Sequence, residues 1–215
     1  MRVFTSSVIG AALLVAAPAT ATTTILDFNA NAACVGVCAN STAISQSYGD
    51  SARVNVTYAS RSGIGNTASN GGSVNYWGGQ YSDLAQVAWS GFDSSSVTEI
   101  RFDVTPGSTF KLNAFSIGSY LNVSREVEVA LFDLDYNLIS SGSAVLTSVA
   151  STFGGTLITT TGYILQIGPD GYNGGVSDVS FTTANAVPEP TSWAMLIAGF
   201  GLVGATLRRR RAAVA

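Results

Sequence analysis

The chain has 215 residues, 47% of them hydrophobic and only 11% charged, with a formal net charge of −3 and no histidine. The lack of histidine excludes Ser-His-Asp and Cys-His nucleophile systems, histidine zinc sites and a histidine pH switch. Residues 22–187 hold five basic side chains (Arg53, Arg61, Arg101, Lys111 and Arg125) against twelve acidic ones, a balance of about −7 that offers no basic patch to nucleic acid or anionic lipid.

Residues 1–21 read as a secretory signal peptide: Arg2 is the basic n-region, residues 8–17 the apolar h-region, and Ala19-Thr20-Ala21 a small-x-small cleavage site. Residues 22–187 then make one domain, long enough to bury roughly 70% of its unfolded surface around a single core. Residues 22–28 open it as a β-rich strand. Residues 29–47 are a loop of small residues holding the only cysteines, Cys34 and Cys38. Their spacing is neither that of a redox motif nor that of a zinc knuckle, and in an oxidising compartment the pair reads as a small disulfide rather than a thiol site.

Residues 53–58 alternate at period two, with Val54, Val56 and Tyr58 on one face. Residues 59–79 are rich in Ser, Gly and Asn and predict a long mobile surface loop ending in the aromatic run around Tyr76, Trp77 and Tyr81. Residues 97–104 form the clearest strand, and Pro106-Gly107 predicts a hairpin into residues 110–114. Between Ala114 and Phe115 the apolar phase slips by one, so Phe115 and Ile117 rejoin the core face only through a bulge. Residues 126–132 alternate again, Asp133-Leu134-Asp135-Tyr136-Asn137 turns the chain, and Leu138-Ile139 begins the return strand. Later strands fall at 156–159, 163–167 and 176–182. Nine or ten short strands without helical periodicity predict an all-β, antiparallel, jelly-roll-like β-sandwich.

The last segment is of another kind. Pro188 and Pro190 lack backbone donors and hold the chain extended, where a processing enzyme can grip it. Residues 193–207 carry no charge and as a transmembrane helix would rise about 22 Å, short of a ~30 Å hydrocarbon core, so insertion needs bilayer thinning or snorkelling. Trp193 suits an interfacial anchor, and Arg208, Arg209, Arg210 and Arg211 resist transfer, which fixes them in the cytoplasm and the domain outside. The series Val187-Pro188-Glu189-Pro190, Trp193-Ala194-Met195, Ala198-Gly199-Phe200-Gly201 and the four arginines closely resembles the PEP-CTERM sorting signal of Gram-negative bacteria. That resemblance makes residues 188–215 the sorting segment. It implies that an exosortase, a membrane-embedded transpeptidase-like enzyme, cuts near Pro-Glu-Pro and releases the upstream domain or joins it to the cell surface.

The strings Asp27-Phe28 and Asp178-Val179-Ser180-Phe181 resemble the paired terminal strands of galactose-binding-like, carbohydrate-binding sandwiches. That resemblance implies a structural Ca²⁺ held by Asp27 and Asp178, which supply part of the required oxygen shell. Tyr76, Trp77, Tyr81, Trp89, Tyr120 and Tyr172 are the aromatics nearest predicted loops or strand ends, and of these Tyr76, Trp77, Tyr81 and Tyr172, with Asn75, Gln80, Asp83 and Asn173, are the candidate sugar-binding set; the competing reading is that Trp77 and Trp89 cap the core. Asp133 to Asn137 opens like a calcium loop, but Leu138 stands where Gly is needed, leaving a polar turn. Glu99, Glu126 and Glu128 alternate outward, a solvated pattern. The expected role is a non-enzymatic cell-surface or extracellular-matrix protein, structural or binding exopolysaccharide, held briefly at the inner membrane. The alternatives are a secreted hydrolase using carboxylates alone and a permanently anchored single-span membrane protein.

Overall fold

A computed structural model describes residues 20–91, 94–186, 196–205 and 208. The strands are β1 (Thr22–Leu26), β2 (Val54–Arg61), β3 (Val74–Tyr81), β4 (Leu84–Ser90), β5 (Val97–Val104), β6 (Ser108–Ser119), β7 (Arg125–Phe132), β8 (Leu138–Leu146), β9 (Ser151–Gly154), β10 (Ile158–Thr159), β11 (Gly162–Gly168) and β12 (Gly174–Asn185). They form two antiparallel sheets. The first runs β10-β6-β12-β4-β3, with β1 added on β12 and β9 on β6; the second runs β2-β5-β11-β7-β8. Most connections cross from one sheet to the other, as a jelly-roll-like sandwich requires.

Period-two alternation explains the sandwich. Val54, Val56 and Tyr58 on β2, Ile100 and Phe102 on β5, and Leu165 and Ile167 on β11 point inward from the second sheet. Phe110 and Leu112 on β6, and Val176, Val179 and Phe181 on β12, meet them from the first. Phe102, Phe110 and Phe181 form the centre, with ring centroids 4.8, 5.4 and 5.2 Å apart. The pairing of β1 with β12 and the β7–β8 hairpin follow the expectation. The phase slip at Ala114 is also accommodated. The register of β6 against β12 shifts there, and Phe115 and Ile117 are buried beyond it.

Three expectations need correction. Pro106-Gly107 does not close a hairpin, because β5 and β6 lie in different sheets; the turn, with Gly107 at φ 83°, is a corner between them. Residues 59–79 are not one surface loop. Their first residues finish β2, residues from Val74 onward form β3, and the segment between lies over the outer face of the second sheet, with its Gly65 amide donating to Gln166 Oε1 at 2.7 Å. Periodicity does not predict strands β3, β4 and β9; in β3 a Gly-Gly pair and the aromatic run hide the alternation.

Residues 196–205 form a helix, α1. Its large apolar side chains stay uncovered: Leu196 is 47% exposed, Ile197 69% and Phe200 64%. No helix among the described residues is long and apolar enough to cross a membrane. The signal peptide up to residue 19, the Pro188-Glu189-Pro190 motif, Trp193, Arg209, Arg210 and Arg211 lie outside the described residues.

Candidate functional site

The first sheet carries a second cluster on its outer face. On β4, Ala88 pairs with Val176 toward the sandwich core, so Val87 and Trp89 point the other way, yet both are fully buried. They are roofed by side chains from the turns after β6 and before β12. Trp89 meets Tyr172 edge-on at 5.2 Å and Trp77 at 6.2 Å, while Tyr120 packs against Trp77 at 5.8 Å and against Tyr172 at 5.7 Å. Such tilted and perpendicular pairs add stability beyond the area they bury. Tyr81 closes the base, its hydroxyl donating to the Tyr172 carbonyl, and burial pushes its phenol well above the ordinary value. Trp89 Nε1 donates to the Tyr76 carbonyl at 3.3 Å.

Of the four aromatics expected to bind, only Trp77 and Tyr172 remain half-exposed. Tyr76 faces the inter-sheet core and Tyr81 is buried beneath the cluster, so neither offers a ring face to a ligand. Tyr120, not among the four, is the third half-exposed ring. Residues in the left-handed region frame this cluster: Gln80 (φ 64°) near the end of β3, and Ser82 (φ 52°), Leu121 (φ 56°), Asn122 (φ 59°) and Asp170 (φ 66°) in the turns. Strained non-glycine residues gather where surrounding structure over-determines them, and binding clamps are a common instance. Asp170 accepts two bonds from Asn173 Nδ2, at 2.9 and 2.8 Å, and faces Arg125 at 3.6 Å, which ties the Tyr172 turn to β7.

Asp27 and Asp178 do come together. With Leu26 opposite Val179, the β1–β12 register carries both onto a pocket of about 400 Å³ that Asn29, Asp83, Gln86 and Ser177 also line. Burial, and then the negative charge of Asp27, raise the Asp178 carboxyl above its ordinary value. Asp27 is already engaged, accepting from the Tyr48 hydroxyl at 2.8 Å and the Asn29 amide at 3.0 Å. Among the described residues no group of three carboxylates, cysteines or histidines gathers to hold a metal. The pair therefore does not make up the six to eight oxygens of a Ca²⁺ shell.

The other candidates fall into place around the sandwich. Cys34 and Cys38 are joined in a disulfide. Asp133 caps its own turn, accepting from the Asp135 and Asn137 amides at 2.9 Å each, which is the polar-turn arrangement. Glu99 departs from the solvated pattern. It is 1% exposed beneath the segment following β2, where Arg61 Nε and Nη2 donate to Oε1 at 3.0 and 2.6 Å, and Gln166 Nε2 donates to Oε2 at 2.7 Å. The Tyr136 hydroxyl completes the group at 3.1 Å. Alternation places Glu99 on the outer face together with Arg61 and Gln166, and a polar face of that kind carries no signal that a segment lies across it.

Residues 186–211 match the family model described as the PEP-CTERM protein-sorting motif. This chain carries that sorting signal. PEP-CTERM handling implies a passage at the membrane followed by a surface or extracellular location, and α1 belongs to the matched segment. Comparison with curated proteins finds no match. Among solved structures the chain is similar to one described as "CBM4 structure and function", with 13% identity and a TM-score of 0.33 over 60% of this chain and 86% of that one. It is also similar to a Podospora anserina GH26-CBM35 β-(1,4)-mannanase, at 10% identity and TM-score 0.33, over 62% of this chain but 28% of that one. A third is a family 11 carbohydrate-binding module from Clostridium thermocellum in complex with a mixed-linked tetrasaccharide, at 9% identity and TM-score 0.28, over 65% and 89% of the two chains.

Proposed function

We propose that this chain is a non-enzymatic, exported β-sandwich that an exosortase processes at its PEP-CTERM tail, and that the mature domain binds exopolysaccharide at the outer aromatic cluster of the first sheet. The amino-terminal signal takes the domain across the inner membrane, the apolar tail holds it there with its arginines in the cytoplasm, and cleavage near Pro188 and Pro190 delivers it to the surface or the matrix. The observation that carries the sugar reading is the trio Trp77, Tyr120 and Tyr172, whose half-exposed rings stand on buried Trp89 and Tyr81. Rigid, partly open aromatic faces beside an exposed amide such as Gln80 combine apolar area with fixed polar tips, which is what a pyranose ring and its hydroxyls need.

Titration of the domain with the producing cell's exopolysaccharide, followed by tryptophan fluorescence, tests this. Trp77→Ala is expected to weaken binding roughly tenfold, the worth of about 1.5 kcal/mol of buried ring surface, while the glycan chain length stays constant on incubation. Equal affinity of wild type and variant removes the aromatic site, and release of shorter glycans replaces the binding reading with the hydrolase.

A further inference from the structure

The long free edge of the second sheet is β8, and apart from a bulge at Ile139, near its start, it lacks the usual protections. Among the described residues its only backbone partner is β7, and Leu138, Ile139, Ser140, Ser141, Gly142, Ser143 and Val145 are all exposed. Edge strands are normally blunted by charge, proline or shortness. β8 is nine residues long and has neither charge nor proline. Beneath it the two sheets part into an apolar groove of about 330 Å³ reaching Leu112, Phe115, Leu131 and Leu165. Exposed Leu157, just before β10, lines the groove from the other side.

The sequence of this edge says what covers it. Read from either end about Gly142, β8 is a chemical palindrome: Ile139 answers Val145, Ser140 answers Ala144, and Ser141 answers Ser143. We propose that β8 pairs antiparallel with β8 of a second copy, on a two-fold axis through Gly142, joining two five-stranded sheets into one. Such an isologous contact places apolar residues opposite apolar ones at its ends and small ones at its centre, and satisfies the free backbone groups of both edges. Electrostatics permit it at this edge. The domain is acidic, but the nearest carboxylates on this face, Glu126 and Glu128, sit one strand inward on β7. Across the joined sheet each is offset along the strand from its counterpart and lies more than three strand spacings, about 14 Å, from it, which exceeds the Debye length at physiological salt. The pairing leaves the aromatic cluster, on the other sheet, free, and does not depend on what that cluster binds.

Sedimentation of the full chain in mild detergent, over a range of concentrations and two ionic strengths, reads the association. The expected result is a monomer–dimer equilibrium that shifts toward dimer at higher salt. Ser141→Lys with Ser143→Lys sets lysines directly opposite one another in the paired strands and is expected to leave monomer at the same concentrations. Because this variant keeps α1, equal dimerisation of variant and wild type means that the helix is the contact and overturns the proposal. A wild type that is monomeric throughout overturns it as well. Gly142→Cys supplies the geometric test, since a Cβ there meets open space. Two such cysteines lie directly opposite, at a Cα separation of about 5 Å suited to a disulfide, and are expected to oxidise to linked dimer roughly tenfold faster than cysteines at the exposed Asp135. Equal rates for Gly142→Cys and Asp135→Cys rule out the two-fold register.

Discussion

Removing Arg61 would strand the Glu99 carboxylate under a roof that excludes water, whereas removing the carboxylate leaves an arginine that is one-fifth exposed and can rehydrate. Breaking a buried pair by deleting one partner costs about 3–5 kcal/mol, so Arg61→Ala should fall in that range and Glu99→Gln clearly below it, as measured by urea unfolding. Asp178 offers a test of opposite sign. Its folded carboxyl is raised by burial and by Asp27, so the stability it contributes is full below the unfolded value and is lost as pH rises through the folded one. Asp178→Asn is therefore expected to raise the melting temperature at neutral pH and to match wild type in acid, and asparagine tolerates the φ of 52° found there. Both sites mark how far single residues are legible in a sequence. The closeness of Asp27 and Asp178 followed from the terminal strands alone. The burial of Glu99 did not, because alternation fixes a face but does not tell whether a distant segment lies across it.

At the level of elements, the outer cluster exists because two strands carry glycine beneath it. A Cβ on Gly175 of β12 would stand 2.6 Å from both Tyr81 Cδ1 and Val87 Cγ2, and one on Gly118 of β6 would stand 2.4 Å from the Tyr81 carbonyl oxygen. Gly175→Ala forces the β4 face outward and is expected to cost about 1–3 kcal/mol, the range for overpacking, together with a changed near-ultraviolet circular dichroism signal from Trp89 and Tyr172. This arrangement also explains which strands the sequence conceals. β2, β5 and β7 face solvent or a thin cover on one side and alternate cleanly. β4 is packed on both faces, so Val87, Ala88 and Trp89 are buried in succession and the period-two signal disappears. The Pro-Gly turn was legible as a turn, but strand partners are a matter of sheet topology, which local turn chemistry does not encode.

For the whole molecule, the sandwich and the tail are separate pieces of physics joined in one chain. The sandwich buries its own apolar faces; α1 leaves Leu196, Ile197, Phe200, Leu202 and Val203 uncovered, as suits a segment meant for a non-aqueous surrounding. Exported protein is therefore expected to have a mass that ends near Pro188-Glu189-Pro190, and replacing that motif should restore the full-length mass in the membrane fraction, both read by intact mass spectrometry. This division was the most legible feature of all, since proline, uncharged length and clustered arginine act through composition and need no tertiary context. Strand β12 adds a direction to it. It enters at Gly174, opposite Ser119 and next to Tyr172 and Tyr120, and leaves at Asn185 beside the matched tail. Twelve residues of strand span roughly 40 Å. The aromatic rings thus lie at the opposite end of β12 from the residue that leads into the tail.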